Sequence, residues 1–524
     1  RVVFHQASPA QFPACRKLQL GTPAPTAMDV TGFQSLTRKK KMLELDNTHP
    51  SGIPVSRIVG LLVGIALLVA TLILPAPGGM SEPAWKAAGL MFLLAAWWST
   101  EAIPIPATSL LPIVLVPALG LGTVAQATTP YANPTIFLFM GGFVLGLAMQ
   151  RWNLHKRIAL SVLLAVGSKP SHQIGGFMIA TAFLSMWVSN TATAIMMLPI
   201  GLSVVSMYDG DQPEAVRKYA VALLLGIAYA ASIGGIGTLI GTPPNALLAG
   251  FLSSEYDIQI GFAQWMLIGV PIALTMLVVV WFMLSRKDFG LTSSNSRDLL
   301  RQQLVDLGPM SRGEKLVGIM FLLTAAAWIF QPVLAKSLPW LNDTVIAIAS
   351  AIIMFLIPVD LKKRQFLMDW ETTTTMPWGV LLLFGGGLSL AAVISSSGLA
   401  VWIAESLGIF GTLPVLAMVL LITTVILFLT EVTSNTATAA AFLPLVGALA
   451  VGQDVSPILF AVPAAVAASC AFMMPVATPP NAIVFGTGHM KISDMINAGF
   501  KLNLAGVAIV GIMAYYLMFW VFGL

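Results

Sequence analysis

The chain has 524 residues, 57% of them hydrophobic and only 9% charged, with a formal net charge of +5 at pH 7. Soluble domains carry about 25% charged residues, so a water-soluble globule is excluded and a polytopic all-α membrane protein is expected. Cys15 and Cys470 form neither a disulfide framework nor a CxxC site, no HExxH pair or GxxxxGKS/T phosphate loop occurs, and an ATP-driven pump or metalloenzyme is therefore not expected.

Residues 1–56 are polar, contain proline and are basic at Arg38, Lys39, Lys40 and Lys41, the composition of a disordered cytosolic tail. Arg1 is not an initiator methionine, and the first residues also read as an over-long gene start ahead of Met28 or Met42. No short apolar core with a small-residue cleavage site is present, so no signal peptide is expected. Apolar stretches near 20 residues predict spans at 57–76, 84–100, 104–121 and 134–151. The region 173–208 is long enough for two half-spans around Ser189-Asn190-Thr191-Ala192-Thr193. Then come 218–250, broken near Gly241–Asn245, the span 262–285, and a polar loop at 286–314. The second half gives 315–335, 343–358, 378–397, a folded region 413–448 around Ser434-Asn435-Thr436-Ala437-Thr438, the stretch 457–487 broken near Ala477–Asn481, and 499–523.

With the two Ser-Asn-Thr regions as re-entrant hairpins and eleven full spans, the charges sort cleanly. A cytoplasmic N-terminus puts Arg151, Lys156, Arg157, Lys169, Arg217 and Lys218, the six basic residues between Arg286 and Lys315, Lys362, Lys363, Arg364, Lys491 and Lys501 inside. The outer loops hold little beyond Lys336, which satisfies the positive-inside rule and places the C-terminus outside. The net positive charge is thus loop Lys and Arg, and no nucleic-acid partner is expected.

One unit is written twice. Asn190 and Asn435 lie 245 residues apart, and the same separation relates Leu138-Phe139-Met140-Gly141-Gly142 to Leu383-Phe384-Gly385-Gly386-Gly387. Gly241-Thr242-Pro243-Pro244-Asn245-Ala246 answers to Ala477-Thr478-Pro479-Pro480-Asn481-Ala482. Five spans between the hairpins invert the second unit, the arrangement of inverted-topology repeats in secondary transporters. Irregular backbone at membrane depth survives only inside protein or along a watery cavity, so paired interruptions point to a binding site near the midplane.

Asparagine offers an acceptor and a donor, and serine and threonine hydroxyls do both. The N-terminus of a half-helix carries roughly +0.5 elementary charge with free N–H groups, and can hold an anion without Lys or Arg. Freed carbonyls with Ser, Thr and Asn oxygens suit a hard cation such as Na⁺. Pro243 and Pro479 start a helix segment well, and Gly241 permits unusual backbone angles. Two such assemblies facing each other would grip both ends of a dianion. No Arg or Lys falls in the four motifs, where a permanent countercharge would compete with the cations and hold the anion in both directions.

Glu431, three residues before Ser434, has Met186 at the corresponding place of the first unit. An intramembrane acid reads either as a proton carrier or as a cap and partner of buried polar groups. Trp97, Trp98, Trp340, Trp378 and Trp402 read as interfacial anchors, and Glu101 as an inner-interface residue.

On its Ser-Asn-Thr and Thr-Pro-Pro-Asn pairs, from residue 57 to the end, the chain resembles the divalent anion:sodium symporter family of di- and tricarboxylate and sulfate transporters. The resemblance implies a homodimer working as an elevator in a bacterial inner membrane. Its scaffold domain would be residues 57–172 and 315–412, its transport domain residues 173–285 and 413–524, with 286–314 as a cytoplasmic linker. Carried over, the anion would be bound by Asn190, Thr191, Thr242 and Pro243 against Asn435, Thr436, Thr478 and Pro479. One Na⁺ would take Ser185, Ser189, Asn190 and Gly241, the other Thr430, Thr433, Asn435 and Ala477, several through backbone carbonyls. Gly241 against Ala477 departs from symmetry, tolerably if only the carbonyl serves. The lack of a large soluble insertion favours a C4-dicarboxylate such as succinate over sulfate or a tricarboxylate. Sodium-independent dicarboxylate exchange and an exporter of drugs or folate fragments with similar architecture stay open. A channel would need a continuous polar path, and an enzyme a nucleophile–base or metal set that the His, Cys and Asp residues do not form.

Overall fold

The structure, a computed structural model, describes residues 54–167, 169–208, 211–286, 289–291, 296–406 and 413–524. The tail expected over 1–56 lies outside the described residues up to residue 53, as do parts of the 286–314 segment. Helices make up nearly all of the rest, and the strand pair among the described residues, Pro358–Asp360 with Gln365–Phe366, only closes a short antiparallel turn.

Helix starts follow their local chemistry. Pro134, Pro170, Pro213, Pro243 and Pro479 each occupy the first helical position, where a missing N–H costs nothing and φ is already helical. Ser81 accepts from Ala84 N–H to cap Glu82–Thr100, and Ser311 and Glu314 form a reciprocal capping box at the head of Arg312–Ile329.

Seven helices among the described residues are long and apolar enough to cross a membrane: Val55–Ile73, Val124–Arg151, Pro213–Ile236, Phe262–Ser285, Trp378–Ser396, Asn435–Gly452 and Ile492–Phe522. Shorter apolar helices include Asn190–Ser206, Asp343–Leu356, Val415–Leu429 and Ile458–Ala468. The chain is an all-α polytopic membrane protein. Pro213–Ile236 is its axis: nearly every residue from Tyr219 onward is buried, against Pro170–Ser185, Asn190–Ser206, Phe262–Ser285 and Pro479–Phe485. Val55–Ile73, by contrast, buries only Gly60, Gly64 and Thr71 and leaves Leu62, Ile65 and Leu72 outward, as a lipid-facing helix should.

Several expectations change. The span 104–121 is two helices, Ile105–Thr108 and Leu111–Ala118, because Pro112 has no N–H to donate to the Thr108 carbonyl. The basic stretch after Arg151 is a helix, Leu154–Val166, and the 286–314 loop holds another, Ser296–Asp306, that packs on it. Both were hidden because each buries one side only (Leu160 and Leu163; Leu300) and neither is long enough to cross a membrane. The last helix begins at Ile492, with Asp494 accepting from Lys491 N–H at 2.9 Å, not at 499. Trp98 is no interfacial anchor: it is fully buried and its indole N–H donates to Ser109 Oγ at 3.1 Å. Trp340 is exposed in the turn before Asp343–Leu356 and Trp378 at the head of Trp378–Ser396, and Glu101 lies 3.4 Å from Arg57 near the ends of the first two helices.

Candidate functional site

Each Ser-Asn-Thr motif is the turn of a helix–turn–helix pair. Pro170–Ser185 ends just before Ser189, which takes an extended backbone at φ −54°, ψ 142° and accepts from Ala192 N–H at 3.3 Å, so that Asn190–Ser206 starts at the asparagine. Val415–Leu429 and Asn435–Gly452 repeat this around Ser434, extended at φ −69°, ψ 132°. Both asparagines thus sit in the first turn of a helix, side chain turned back toward the preceding one.

There the structure builds two small oxygen clusters. Ser185 Oγ lies 2.6 Å from Asn190 Oδ1 and 2.6 Å from the Ala231 carbonyl. Thr430 Oγ1 lies 2.9 Å from Asn435 Oδ1 and 2.9 Å from the Ala468 carbonyl. A hydroxyl has one proton and here faces two acceptors, so each cluster holds three oxygens and a single hydrogen between them. Such a proton-poor set of neutral oxygens is the chemistry that a hard monovalent cation completes. Gly235 sits against the first cluster: a Cβ there would come 2.7 Å from Asn190 Oδ1 and 3.0 Å from the Gly241 carbonyl.

The two Thr-Pro-Pro-Asn segments close breaks in the neighbouring helices. Residues 237–242 separate Pro213–Ile236 from Pro243–Tyr256, and residues 469–478 separate Ile458–Ala468 from Pro479–Phe485. Thr242 and Thr478 hold nearly the same extended geometry, φ −142°, ψ 142° and φ −150°, ψ 144°, and each begins the next helix through proline. The asparagine inside each motif then sews up its own break. Asn245 Nδ2 donates to the carbonyls of Gly235 at 3.1 Å and Thr238 at 2.8 Å, and Asn481 Nδ2 to those of Ala471 at 3.2 Å and Met474 at 3.1 Å. Helix Asn190–Ser206 packs on Pro479–Phe485, and Asn435–Gly452 on Pro243–Tyr256, so each unit's Ser-Asn-Thr helix lies against the other unit's Thr-Pro-Pro-Asn helix.

The expected residues fall as follows. Ser185 with Asn190, and Thr430 with Asn435, are in direct contact. Gly241 and Ala477 are buried within the breaks. Ser189 spends its hydroxyl on the helix cap, and Thr433 Oγ1 is bonded to Leu429 O at 2.9 Å and Thr438 Oγ1 at 2.6 Å, away from Asn435 Oδ1. Thr242, Thr436 and Thr478 are buried, Asn190, Thr191 and Pro243 half-buried, and Pro479 exposed. A cavity of about 600 Å³ reaches Ala192 of the first motif, lined also by Gln150, His155, Lys156, Ser203 and Gln303.

Sequence reasoning missed the Ala231 and Ala468 carbonyls and the part played by Gly235. A backbone carbonyl leaves no mark in the residue type, so nothing could have found the first two; a glycine aligned with Ala471 was the only hint of the third.

The sodium:sulfate symporter transmembrane region matches residues 55–523. The chain is 45% identical over 476 residues to the sodium-dependent dicarboxylate transporter SdcS of Staphylococcus saprophyticus, across 88% of this chain and 92% of that protein. It is 43% identical over 479 residues to SdcS of Staphylococcus aureus strain USA300, across 88% and 91%. Among solved structures it is similar to the Alcanivorax borkumensis YdaH transporter, with a TM-score of 0.51, 14% identity and coverage of 90% of this chain and 99% of that one. It is similar also to Neisseria gonorrhoeae MtrF, of a class of antimetabolite efflux pumps, with a TM-score of 0.52, 13% identity and coverage of 90% and 96%. At those identities the likeness is one of fold alone. A family match over essentially all of the described chain, with relatives this close, makes this protein a member of the sodium:sulfate symporter family, the divalent anion:sodium symporters that its motifs resemble.

Proposed function

We propose that the chain is a secondary active transporter that couples Na⁺ to the import of a dicarboxylate, a C4 dianion such as succinate. It is a transporter and not an enzyme. The observation that carries this is the pair of matched oxygen clusters, Ser185–Asn190–Ala231 and Thr430–Asn435–Ala468, beside helices that begin at the same motifs. Relatives at 45% and 43% identity named as sodium-dependent dicarboxylate transporters support the substrate class and the ion. In this reading each cluster, with the Gly241 or Ala477 carbonyl, takes one Na⁺. Asn190, Thr191, Thr242 and Pro243 then face Asn435, Thr436, Thr478 and Pro479 across the anion, which is held by helix ends and amides rather than by fixed positive charge.

The two helix–turn–helix pairs act as re-entrant hairpins of an inverted repeat. Residues 173–285 and 413–524 form a transport domain that moves as an elevator against a scaffold of residues 57–172 and 315–412, in a homodimer. The N-terminus is cytoplasmic and the C-terminus external, so the cavity beside Lys156 is the inner approach to the site.

With two or more Na⁺ per dianion and a net positive charge moved inward, each such charge gains roughly 2.3 kcal/mol per 100 mV of inside-negative potential. Purified protein in liposomes should therefore take up labelled succinate faster with an inward Na⁺ gradient, faster again with an inside-negative potential, and not with K⁺ in place of Na⁺. Uptake that ignores Na⁺ but requires internal dicarboxylate would replace symport by exchange.

A further inference from the structure

The two halves are alike in their oxygen clusters but not in how their breaks are held. In the first half, Gly237 N–H returns to Gly234 O at 2.9 Å, and Thr238 Oγ1 donates to Met186 O at 2.5 Å. In the second half, Met186 is replaced by Glu431, and the neighbouring backbone is organised by its carboxylate. Oε1 accepts from Phe472 N–H at 2.7 Å and Met473 N–H at 3.0 Å, and Oε2 from Met473 N–H at 2.9 Å and Met474 N–H at 3.1 Å. Asn503 Nδ2, from the last helix, donates to Oε1 at 2.7 Å. Glu431 is 3% exposed, and none of its ties is to a basic side chain.

Every one of those partners is a donor. Hydrogen bonds from a run of backbone N–H groups to one side chain are among the strongest local restraints a chain can make.

That restraint acts on the second oxygen cluster. Glu431 follows Thr430, whose Oγ1 belongs to the cluster, and it grips residues 472–474 of the segment that leads from the Ala468 carbonyl to Ala477. The carbonyls of the same segment are taken from the other side by Asn481, at Ala471 and Met474. The second break is the longer, residues 469–478 against 237–242, and so has more backbone to immobilise.

Resting on the functional reading above, we propose that Glu431 is a positioning residue for the second Na⁺. It touches neither ion nor anion; it holds residues 472–474 between the Ala468 carbonyl that meets Thr430 and Ala477, and so fixes the shape of the second break. The two cation positions are then inequivalent by construction: the first is set by backbone and hydroxyl contacts, the second also by a buried carboxyl side chain that the first half lacks.

The test compares wild type with Glu431→Gln, Glu431→Asp and Asn503→Ala in liposomes and in detergent. Two readouts are taken: the Na⁺ concentration for half-maximal succinate uptake, and the Na⁺ concentration for half-maximal thermal stabilisation. Gln keeps the shape but turns one acceptor into a donor against N–H groups. It should raise both Na⁺ concentrations at least fivefold and flatten the Na⁺ dependence, with Asp and Asn503→Ala in between. If Gln does not fold, Asp and Asn503→Ala must carry the same graded shift. Folded variants that lose melting temperature but keep the wild-type Na⁺ dependence would reduce Glu431 to a plain cap and overturn the proposal. A wild-type protein that Na⁺ neither drives nor stabilises would overturn the functional reading itself.

Discussion

Asn245 and Asn481 do the same job in the two halves: each reaches back 10 and 7 residues with one amide to hold two carbonyls of the break that precedes it. Both are fully buried, so the carbonyls they serve have no water to fall back on. Replacing either by alanine should cost roughly 1–3 kcal/mol, the price of stranding buried acceptors, and should abolish Na⁺-driven uptake. Thermal unfolding and liposome uptake measured together test this; variants that melt like wild type would show that the breaks hold without their asparagines.

Asn190→Ala and Asn435→Ala should each abolish transport with little loss of stability, because both side chains are half-buried. Each is proposed to touch cation and anion at once, so the loss should exceed that of one neutral hydrogen bond, about 1 kcal/mol. Near-normal uptake by both purified variants would remove the proposed site.

Ser185→Ala and Thr430→Val each delete the central oxygen of a cluster while Asn190 and Asn435 stay in place. Both should raise the Na⁺ requirement several-fold with a smaller change in succinate affinity, and Ser185→Thr and Thr430→Ser should recover it. A titration of uptake rate against Na⁺ decides, and a change confined to succinate affinity would move these residues out of the cation positions.

The proposed orientation is open to labelling. Cys470 is buried, so in a Cys15→Ser background an added thiol reports by itself. Gln302→Cys, on the helix Ser296–Asp306, should react only from the cytoplasmic side, and Leu524→Cys only from outside. The opposite pattern in right-side-out vesicles would reverse the topology.

Arg157 Nε donates to Glu314 Oε1 at 2.7 Å, and Arg157 Nη2 to the Gly308 carbonyl at 3.0 Å, tying Leu154–Val166 to the head of Arg312–Ile329. Burial pushes the Glu314 carboxyl up, but Arg157 and the Ser311 cap outweigh it and leave the group below its ordinary range. A carboxyl lowered in the native state contributes stability at pH above its unfolded value, about 4.3, and loses it as pH falls through the lower native one. Melting temperature should therefore drop between about pH 5 and pH 3, and less so in Glu314→Gln. At neutral pH, Arg157→Met should cost roughly 3 kcal/mol, since it leaves a buried carboxylate unpaired. An Arg157→Met protein with wild-type stability would mean the pair contributes nothing.

Long apolar runs and their interruptions were legible in the sequence because hydropathy, proline and the repeated Ser-Asn-Thr and Thr-Pro-Pro-Asn words are local properties. They located the helix–turn–helix pairs at 173–208 and 413–448 and the ends of the two breaks, which the structure extends back to residues 237 and 469; Ser185 and Thr430 came only from the family resemblance. Amphipathic helices such as Leu154–Val166 were not legible, because their one apolar side is averaged away until the neighbour it packs against is known. The environment of Trp98 and the donors around Glu431 were decided only by tertiary structure. So was the third oxygen of each cluster, since Ala231 and Ala468 take part through carbonyls that every residue possesses. Residue type marks where a chain must break in lipid; which backbone groups then meet across the break depends on how distant segments pack, and a binding site made largely of main chain is written in that packing.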